Sequence, residues 1–288
     1  MTPIFHPPFF VAGPSRPKKR IILSVPHAGR DYPSTLPRYT RIQAHRFASL
    51  EDRHADALVD RAVDLGFTAL IAKAPRLWID LNRAENDIDP GMMREPDTTG
   101  HILTMKARGG LGLIPRRTAA LGDIWTHPIE TADLNARIET IHRPYHATLS
   151  ALIADACTQF GSTLLLDVHS MPSLPKNRSE QPAHVVIGDR FGQSADARLT
   201  ECVVAIVRAF GLKVAVNTPY AGGYVLERHA APHQNVHALQ IEIDRRLYLD
   251  STMTSLGGNV RAIQNMITAI ANTLNTEIDD DRQAEAAE

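Results

Sequence analysis

Seven short segments of the chain are dense in apolar residues: IILSV (21–25), FTALIAK (67–73), RLWIDL (76–81), STLLLDV (162–168), HVVIG (184–188), LKVAVN (212–217) and HALQIEI (237–243). Several are unbroken apolar runs, the pattern of strands covered on both faces. The last one alternates instead. Leu239, Ile241 and Ile243 interleave with Gln240, Glu242 and Asp244, which puts a polar row on one face of a strand. Stretches 50–65, 133–159, 193–210 and 257–275 carry apolar residues at every third or fourth position and predict helices. Strand-like and helix-like segments that alternate in this way predict an α/β domain with a largely parallel or mixed sheet.

The remaining segments lack a period. Residues 1–19 hold Pro3, Pro7, Pro8, Pro14 and Pro17 ahead of Lys18-Lys19-Arg20, and read as an irregular lead-in. Residues 84–125 are rich in Gly, Pro and Asp, and a loop of this length is commonly a lid or binding loop. From Glu277 the sequence EIDDDRQAEAAE is acidic and poor in large apolar groups, so 278–288 reads as a disordered tail. No linker or repeat divides the body, and 1–277 is expected to form one domain.

Composition narrows the class. Hydrophobic residues make up 43% and charged residues 22%, ordinary for a soluble globular protein. Lys and Arg number 31 against 32 Asp and Glu, a net charge of −1, which supplies no general field for nucleic acid. Two cysteines, Cys157 and Cys202, exclude a disulfide scaffold and a four-cysteine zinc site. Both lie in apolar helical stretches, where a buried structural thiol outweighs a nucleophile. The start MTPIFHPPFF lacks the basic and apolar regions of a secretory signal, and no apolar run is long enough to span a bilayer. The expectation is a soluble cytoplasmic protein. No G-x-S-x-G elbow and no G-x-G-x-x-G turn is present.

Thirteen histidines are many for this length, and two of them stand near the ends of apolar strands: His27 in SVPHAGRDYP and His169 in LLLDVHSMP. Neutral imidazoles are the commonest metal ligands, and α/β folds build their sites at the carboxyl ends of strands. Each alone is equally a turn histidine or one satisfied by Asp167. In SLEDRHADALVD, Asp52 has the spacing of a capping-box acid after Ser49 and is also a candidate oxygen ligand. Glu51, His54 and Asp56 compete with it. Glu242 is a candidate general base if its face of the strand lines a cavity. Asn82 and Arg83, in PRLWIDLNRAEND, offer a fork and an amide to a carboxylate, and the plain alternative pairs Arg83 with Asp80 or Glu85. Gly222-Gly223, followed by Tyr224 and Arg228, permits close backbone approach to a ligand or forms a simple turn. Arg143 is a further candidate for attracting an anion.

In this order PHAG, Asp52-x-x-x-Asp56, DLNR, PYH (144–146), DVHS, GGY and LQIE resemble the N-formylglutamate amidohydrolase family, across roughly residues 20–250. Each motif is short; the specificity lies in their joint order. The resemblance extends to the zinc carboxypeptidases and aspartoacylase. It implies a mixed, twisted sheet sandwiched by helices, a zinc-carboxypeptidase-like (phosphorylase/hydrolase-like) fold with one zinc at the strand ends. It also implies hydrolysis of N-formyl-L-glutamate to L-glutamate and formate, the last step of one route of histidine degradation. By resemblance His27 and His169 are metal ligands, Glu242 is the catalytic glutamate, and Asn82 with Arg83 grips the substrate carboxylate. The H-x-x-E of the carboxypeptidases is absent, because Arg30 stands three residues after His27; the acidic ligand is then sought at Asp52, with Glu51 as the alternative.

The resulting expectation is a metal-dependent amidohydrolase that takes a small anionic N-acyl amino acid. Zinc is the expected ion, with other divalent metals able to occupy such ligands. Two rivals remain: the same chemistry on another N-acyl or formylated small molecule, and a noncatalytic relative that binds metal and a dicarboxylate.

Overall fold

The computed structural model describes residues 7–95, 104–175 and 182–285, with side chains as far as Ile278. The chain forms two compact units. One comprises Met1–Phe10, Pro26–Glu51 and Ala72–Thr148; the other comprises Val11–Val25, Asp52–Ile71 and Leu149–Glu288. In chain order the strands are β1 (Phe9–Ala12), β2 (Ile21–Val25), β3 (Thr68–Ala72), β4 (Arg117–Thr118), β5 (Gly122–Asp123), β6 (Thr163–Met171), β7 (Val185–Gly188), β8 (Val214–Val216) and β9 (Val236–Asp244). The helices are α1 (Asp60–Asp64), α2 (Met105–Arg108), α3 (Thr131–Arg137), α4 (Arg143–Phe160), α5 (Ala197–Ala209), α6 (Tyr224–His229) and α7 (Val260–Glu285).

Seven strands form one sheet in the order β1-β3-β2-β6-β9-β7-β8. β2 runs parallel to β3 and β6, β6 to β9 and β7 to β8, while β7 and β9 are antiparallel. The sheet is therefore mixed and mainly parallel, flanked by helices. Every residue of β2, β3, β6 and β7 is buried, which is why their sequences are continuous runs. Helix α7 packs on α1, α5, β2 and β6. It does so through Ile263, Met266, Ile267, Ile270, Ala271, Leu274 and Ile278, an apolar stripe at helical spacing. Each large aliphatic side chain buried there contributes about 1.5–3 kcal/mol of transfer free energy.

The unit that contains Pro26–Glu51 and Ala72–Thr148 has little regular structure apart from α2, α3, the start of α4 and the small β4–β5 ladder. Its irregular backbone is held by long-range bonds such as Asp80 N to Leu113 O and Leu113 N to Asp87 O, over the buried side chains of Leu77, Ile79, Leu81, Leu113 and Ile114. Residues 96–103, inside the long aperiodic stretch, lie outside the described residues.

Four expectations need correction. RLWIDL is not a strand: it turns at 76–78 and again at 81–82, although Leu77, Trp78, Ile79 and Leu81 are all buried. The helix expected over 50–65 is broken. His54 has φ 58°, a left-handed conformation that ends a helix, and only a 3-10 turn (Asp56–Val59) and the short α1 follow. The proline-rich lead-in contains β1 at the sheet edge, where neighbouring prolines are tolerated. The acidic tail is helical as far as Glu285, the end of α7, and 286–288 lie outside the described residues. Among the described residues no helix is long and apolar enough to cross a membrane.

Candidate metal centre

His27 lies two residues beyond the end of β2 and is 3% exposed. Its Nε2 is 2.7 Å from Oδ1 of Asp80, a fully buried carboxylate. Asp80 also accepts from Arg76 Nε at 2.9 Å and from the backbone N of Asn82 at 2.8 Å, and Arg83 Nε is 4.0 Å away. Burial pushes the Asp80 carboxyl upward, but Arg76, His27 and Arg83 outweigh it and hold it well below the usual carboxylate range. Asp80 is therefore an acceptor only, so His27 donates to it from Nε2. The loop carrying His27 fits closely because Gly29 has no side chain; a Cβ there would lie 2.0 Å from Ala74 O.

His169 sits within β6 and repeats the arrangement. Its Nε2 is 2.7 Å from Asp167 Oδ2, and Asp167 Oδ1 accepts from Ser24 Oγ at 2.7 Å. On the other side, His169 Nδ1 is 2.9 Å from Asp52 Oδ2. Asp52 Oδ1 accepts from Arg245 Nη2 at 3.1 Å, and Arg245 Nε donates to Ser170 Oγ at 3.0 Å. Burial pushes the His169 imidazole down, yet Asp167, Asp52 and Glu242 outweigh burial and hold its pKa well above the ordinary value.

His27, Asp52 and His169 are all buried, and each offers one ligand atom within 4.8 Å of the others. This donor set suits a borderline divalent ion. Two imidazoles are each held at Nε2 by a carboxylate, and one carboxylate oxygen completes the group. Glu51 is not in it: the Tyr32 hydroxyl donates to Glu51 Oε1 at 2.5 Å. His54, another competitor, bonds the carbonyl of Thr254 through Nε2 at 3.0 Å. Nor does Ser49 cap a helix, since its hydroxyl donates to Arg46 O at 2.8 Å.

Glu242, on β9, is the direct cross-strand partner of His169, just as Gln240 is of Asp167. Gln240 Nε2 donates to Glu242 Oε1 at 3.1 Å, and Gln240 Oε1 accepts from the backbone N of Gly223 at 3.1 Å. The buried amide of Gln240 thus ties the Gly222-Gly223 turn to the glutamate. Gly222 has φ +114°, and a Cβ there would meet Leu226 Cδ2 at 2.7 Å.

Asn82 and Arg83 do not leave a strand. Both are buried in the turn after Asp80. Helix α4 and the π-helical turn before it (Ile138–His142) hold that segment: His142 Nε2 donates to Arg83 O at 2.8 Å and His146 Nε2 to Leu81 O at 3.0 Å. Arg83 Nε donates to Leu111 O at 2.9 Å, which fixes the side chain. The other two arginines are engaged elsewhere. Arg143 is half exposed and pairs with Glu85 and Glu139. Arg228 is exposed and donates to the Tyr224 hydroxyl at 2.7 Å. From sequence, Asp167 and Asp80 entered only as ordinary partners of His169 and Arg83, and Gln240 and Arg245 were not singled out. Gln240 lies two residues from Glu242 on the same strand, which was the available signal; Arg245 meets Asp52 only through the tertiary fold.

A mainly parallel α/β sheet thus carries two carboxylate-braced histidines and a buried aspartate that could hold a metal ion. Residues 19–249 match the N-formylglutamate amidohydrolase family, and the chain belongs to that family. It is 29% identical over 234 residues to an N-formylglutamate deformylase of Pseudomonas putida, covering 81% of this chain and 82% of that one. A second N-formylglutamate deformylase, from Pseudomonas aeruginosa, is 26% identical over 238 residues, covering 80% and 82%. The crystal structure of N-formylglutamate amidohydrolase from Ralstonia eutropha JMP134 superposes with a TM-score of 0.86 at 31% identity, over 94% of this chain and 98% of that one.

Proposed function

We propose that the chain hydrolyses N-formyl-L-glutamate to L-glutamate and formate, with a divalent metal, zinc by its donor set, held by His27, Asp52 and His169. The placement of Glu242 directly across from His169, beside this three-residue group, carries the reading. Family membership and the deformylase relatives support the substrate. When bound, the ion supplies Lewis-acid polarisation of the formyl carbonyl and acidifies a water.

The residues of the chain do the rest. Asp80 and Asp167 keep the two imidazoles in the tautomer that ligates. Glu242, oriented by Gln240, takes the proton of the attacking water as its oxygen bonds to the formyl carbon. It then delivers that proton to the amine nitrogen as the C–N bond breaks. The outer edge of Arg83, with Asn82 beside it, receives a substrate carboxylate in bidentate fashion. Local arginines have this task because the protein as a whole carries almost no net charge.

The test is formate release from N-formyl-L-glutamate, with N-acetyl-L-glutamate and N-formyl-L-aspartate alongside, before and after chelation. Release from the formyl glutamate alone, abolished by chelation and restored by zinc, is the expected result. Preference for either analogue moves the substrate assignment. Release that survives complete chelation overturns the role of the metal.

A further inference from the structure

The unit that carries Arg83 also contains a cavity of about 200 Å³, lined among others by Tyr39, Trp78, Trp125, Ile129, Asp133 and Arg137. Trp78 and Trp125 stand edge to face with ring centroids 6.2 Å apart. They are the only two tryptophans of the chain. Arg137 is 2% exposed, and its guanidinium lies 3.6 Å from the Trp78 ring centroid and 5.4 Å from that of Trp125. Its hydrogen bonding is incomplete. Nη1 donates to Trp78 O at 3.0 Å and Nη2 reaches Asp133 Oδ2 at 3.5 Å, while Nε has no partner among the described residues.

Burial pushes the Arg137 pKa down to about 10, against the pull of Asp133, so the group remains a cation at neutral pH. A buried cation with one long ion pair is costly. Stacking on two tryptophans explains the faces of the guanidinium but not the unpartnered Nε, nor the cavity that Arg137 lines. Asp133 is 27% exposed.

We propose that this cavity is a noncatalytic binding site for a small carboxylate bearing a flat apolar group. The carboxylate takes the Nε–Nη2 edge of Arg137 in place of Asp133, and the apolar part packs against Trp125 and Tyr39.

Because both tryptophans line the cavity, tryptophan emission of the intact protein reports on it directly. Benzoate should change that emission saturably, whereas benzamide, its uncharged counterpart of the same shape, should not. Asp133→Ala should bind benzoate several-fold more tightly, since the competing carboxylate is gone. Arg137→Met should bind it about tenfold or more weakly, the loss expected for a charge-assisted pair. If Arg137→Met does not fold, the benzamide and Asp133→Ala comparisons decide. The proposal is overturned by no saturable change in either the wild type or Asp133→Ala. It is equally overturned by an equal response to benzamide, or by undiminished binding in a folded Arg137→Met protein.

Discussion

His169 and Glu242 face each other directly across the parallel strands β6 and β9, so both side chains leave the sheet on the same face. The same register pairs Ser24 with Asp167 and Asp167 with Gln240, so three adjacent strands contribute one polar strip to an otherwise apolar sheet. A slip of one residue in β9 would put Ile241 or Ile243 there instead. The buried alternation on β9 makes that slip prohibitive, and the spacing between His169 and Glu242 is thereby set by the sheet itself.

Glu242→Gln should therefore keep the metal, because Glu242 is not one of the three proposed ligands, and lose about 10²-fold or more of turnover. His169→Ala should lose both. Metal content and formate release measured on the same samples separate the two effects. Near-normal turnover in Glu242→Gln would remove the glutamate from the role of base.

Asp80→Asn should weaken metal binding by about 10–100-fold, the usual cost of losing the carboxylate behind a ligating imidazole. The amide can present its nitrogen to His27 and favour the wrong tautomer. Competition against a chelating dye measures this, and unchanged affinity would show that Asp80 serves only Arg76 and Arg83.

Gln240→Leu should retain metal and fold yet lower kcat, since the amide that holds Glu242 Oε1 and the Gly223 backbone is gone. A loss of about tenfold in kcat, with a smaller change in KM, is expected from misplacing a base. A change confined to KM would instead assign Gln240 to the substrate turn.

Gly29→Ala should destabilise the protein by about 1–3 kcal/mol or more, because the new methyl would press on the backbone of Ala74 and Lys73. Gly258→Ala, where nothing lies within 4 Å of the added Cβ, is the matched control. Thermal denaturation of both proteins distinguishes close packing from a general loss of glycine. Equal Tm values would contradict the tight approach.

Acid stability should depend on Asp189. Burial raises its pKa, but hydrogen bonds from Asn217, Gly192, Thr200 and Phe191 prevail and lower it below the ordinary value of 3.8. A carboxylate with a depressed folded pKa contributes stability that is complete above the unfolded value and is lost as the pH falls through the folded one. Asp189→Asn should flatten the fall in stability below pH 4, as followed by urea unfolding at several pH values. A slope identical to that of the wild type would exclude Asp189 as its source.

Much of the sheet was legible in the sequence because a strand buried on both faces reads as an uninterrupted apolar run, and β2, β3, β6 and β7 fall on such runs, while β9 falls on the alternating segment. The same cue misled at RLWIDL, where Leu77, Trp78, Ile79 and Leu81 are buried by an irregular backbone that pairs with no strand. At 50–65 the apolar spacing was real, since Ala55, Leu58, Val59 and Ala62 are all buried. What it could not reveal was the left-handed turn at His54. The histidines and Glu242 could be picked out because they sit at strand ends or on an alternating face. Arg245, which braces Asp52 from 193 positions away, could not, because only tertiary folding brings the two together.

The two histidines of α4 and its preceding turn have a consequence for redesign. His142 and His146 bond the carbonyls on either side of Asn82, so the backbone that presents Asn82 and Arg83 is clamped at both ends by one helical segment. The recognition element proposed for this turn is mounted as in a jig. Exchanging Asn82 or Arg83 alone would alter what is gripped but not where. Moving the grip to suit a longer or shorter acyl amino acid would mean shifting residues 142–146, the support rather than the fingers.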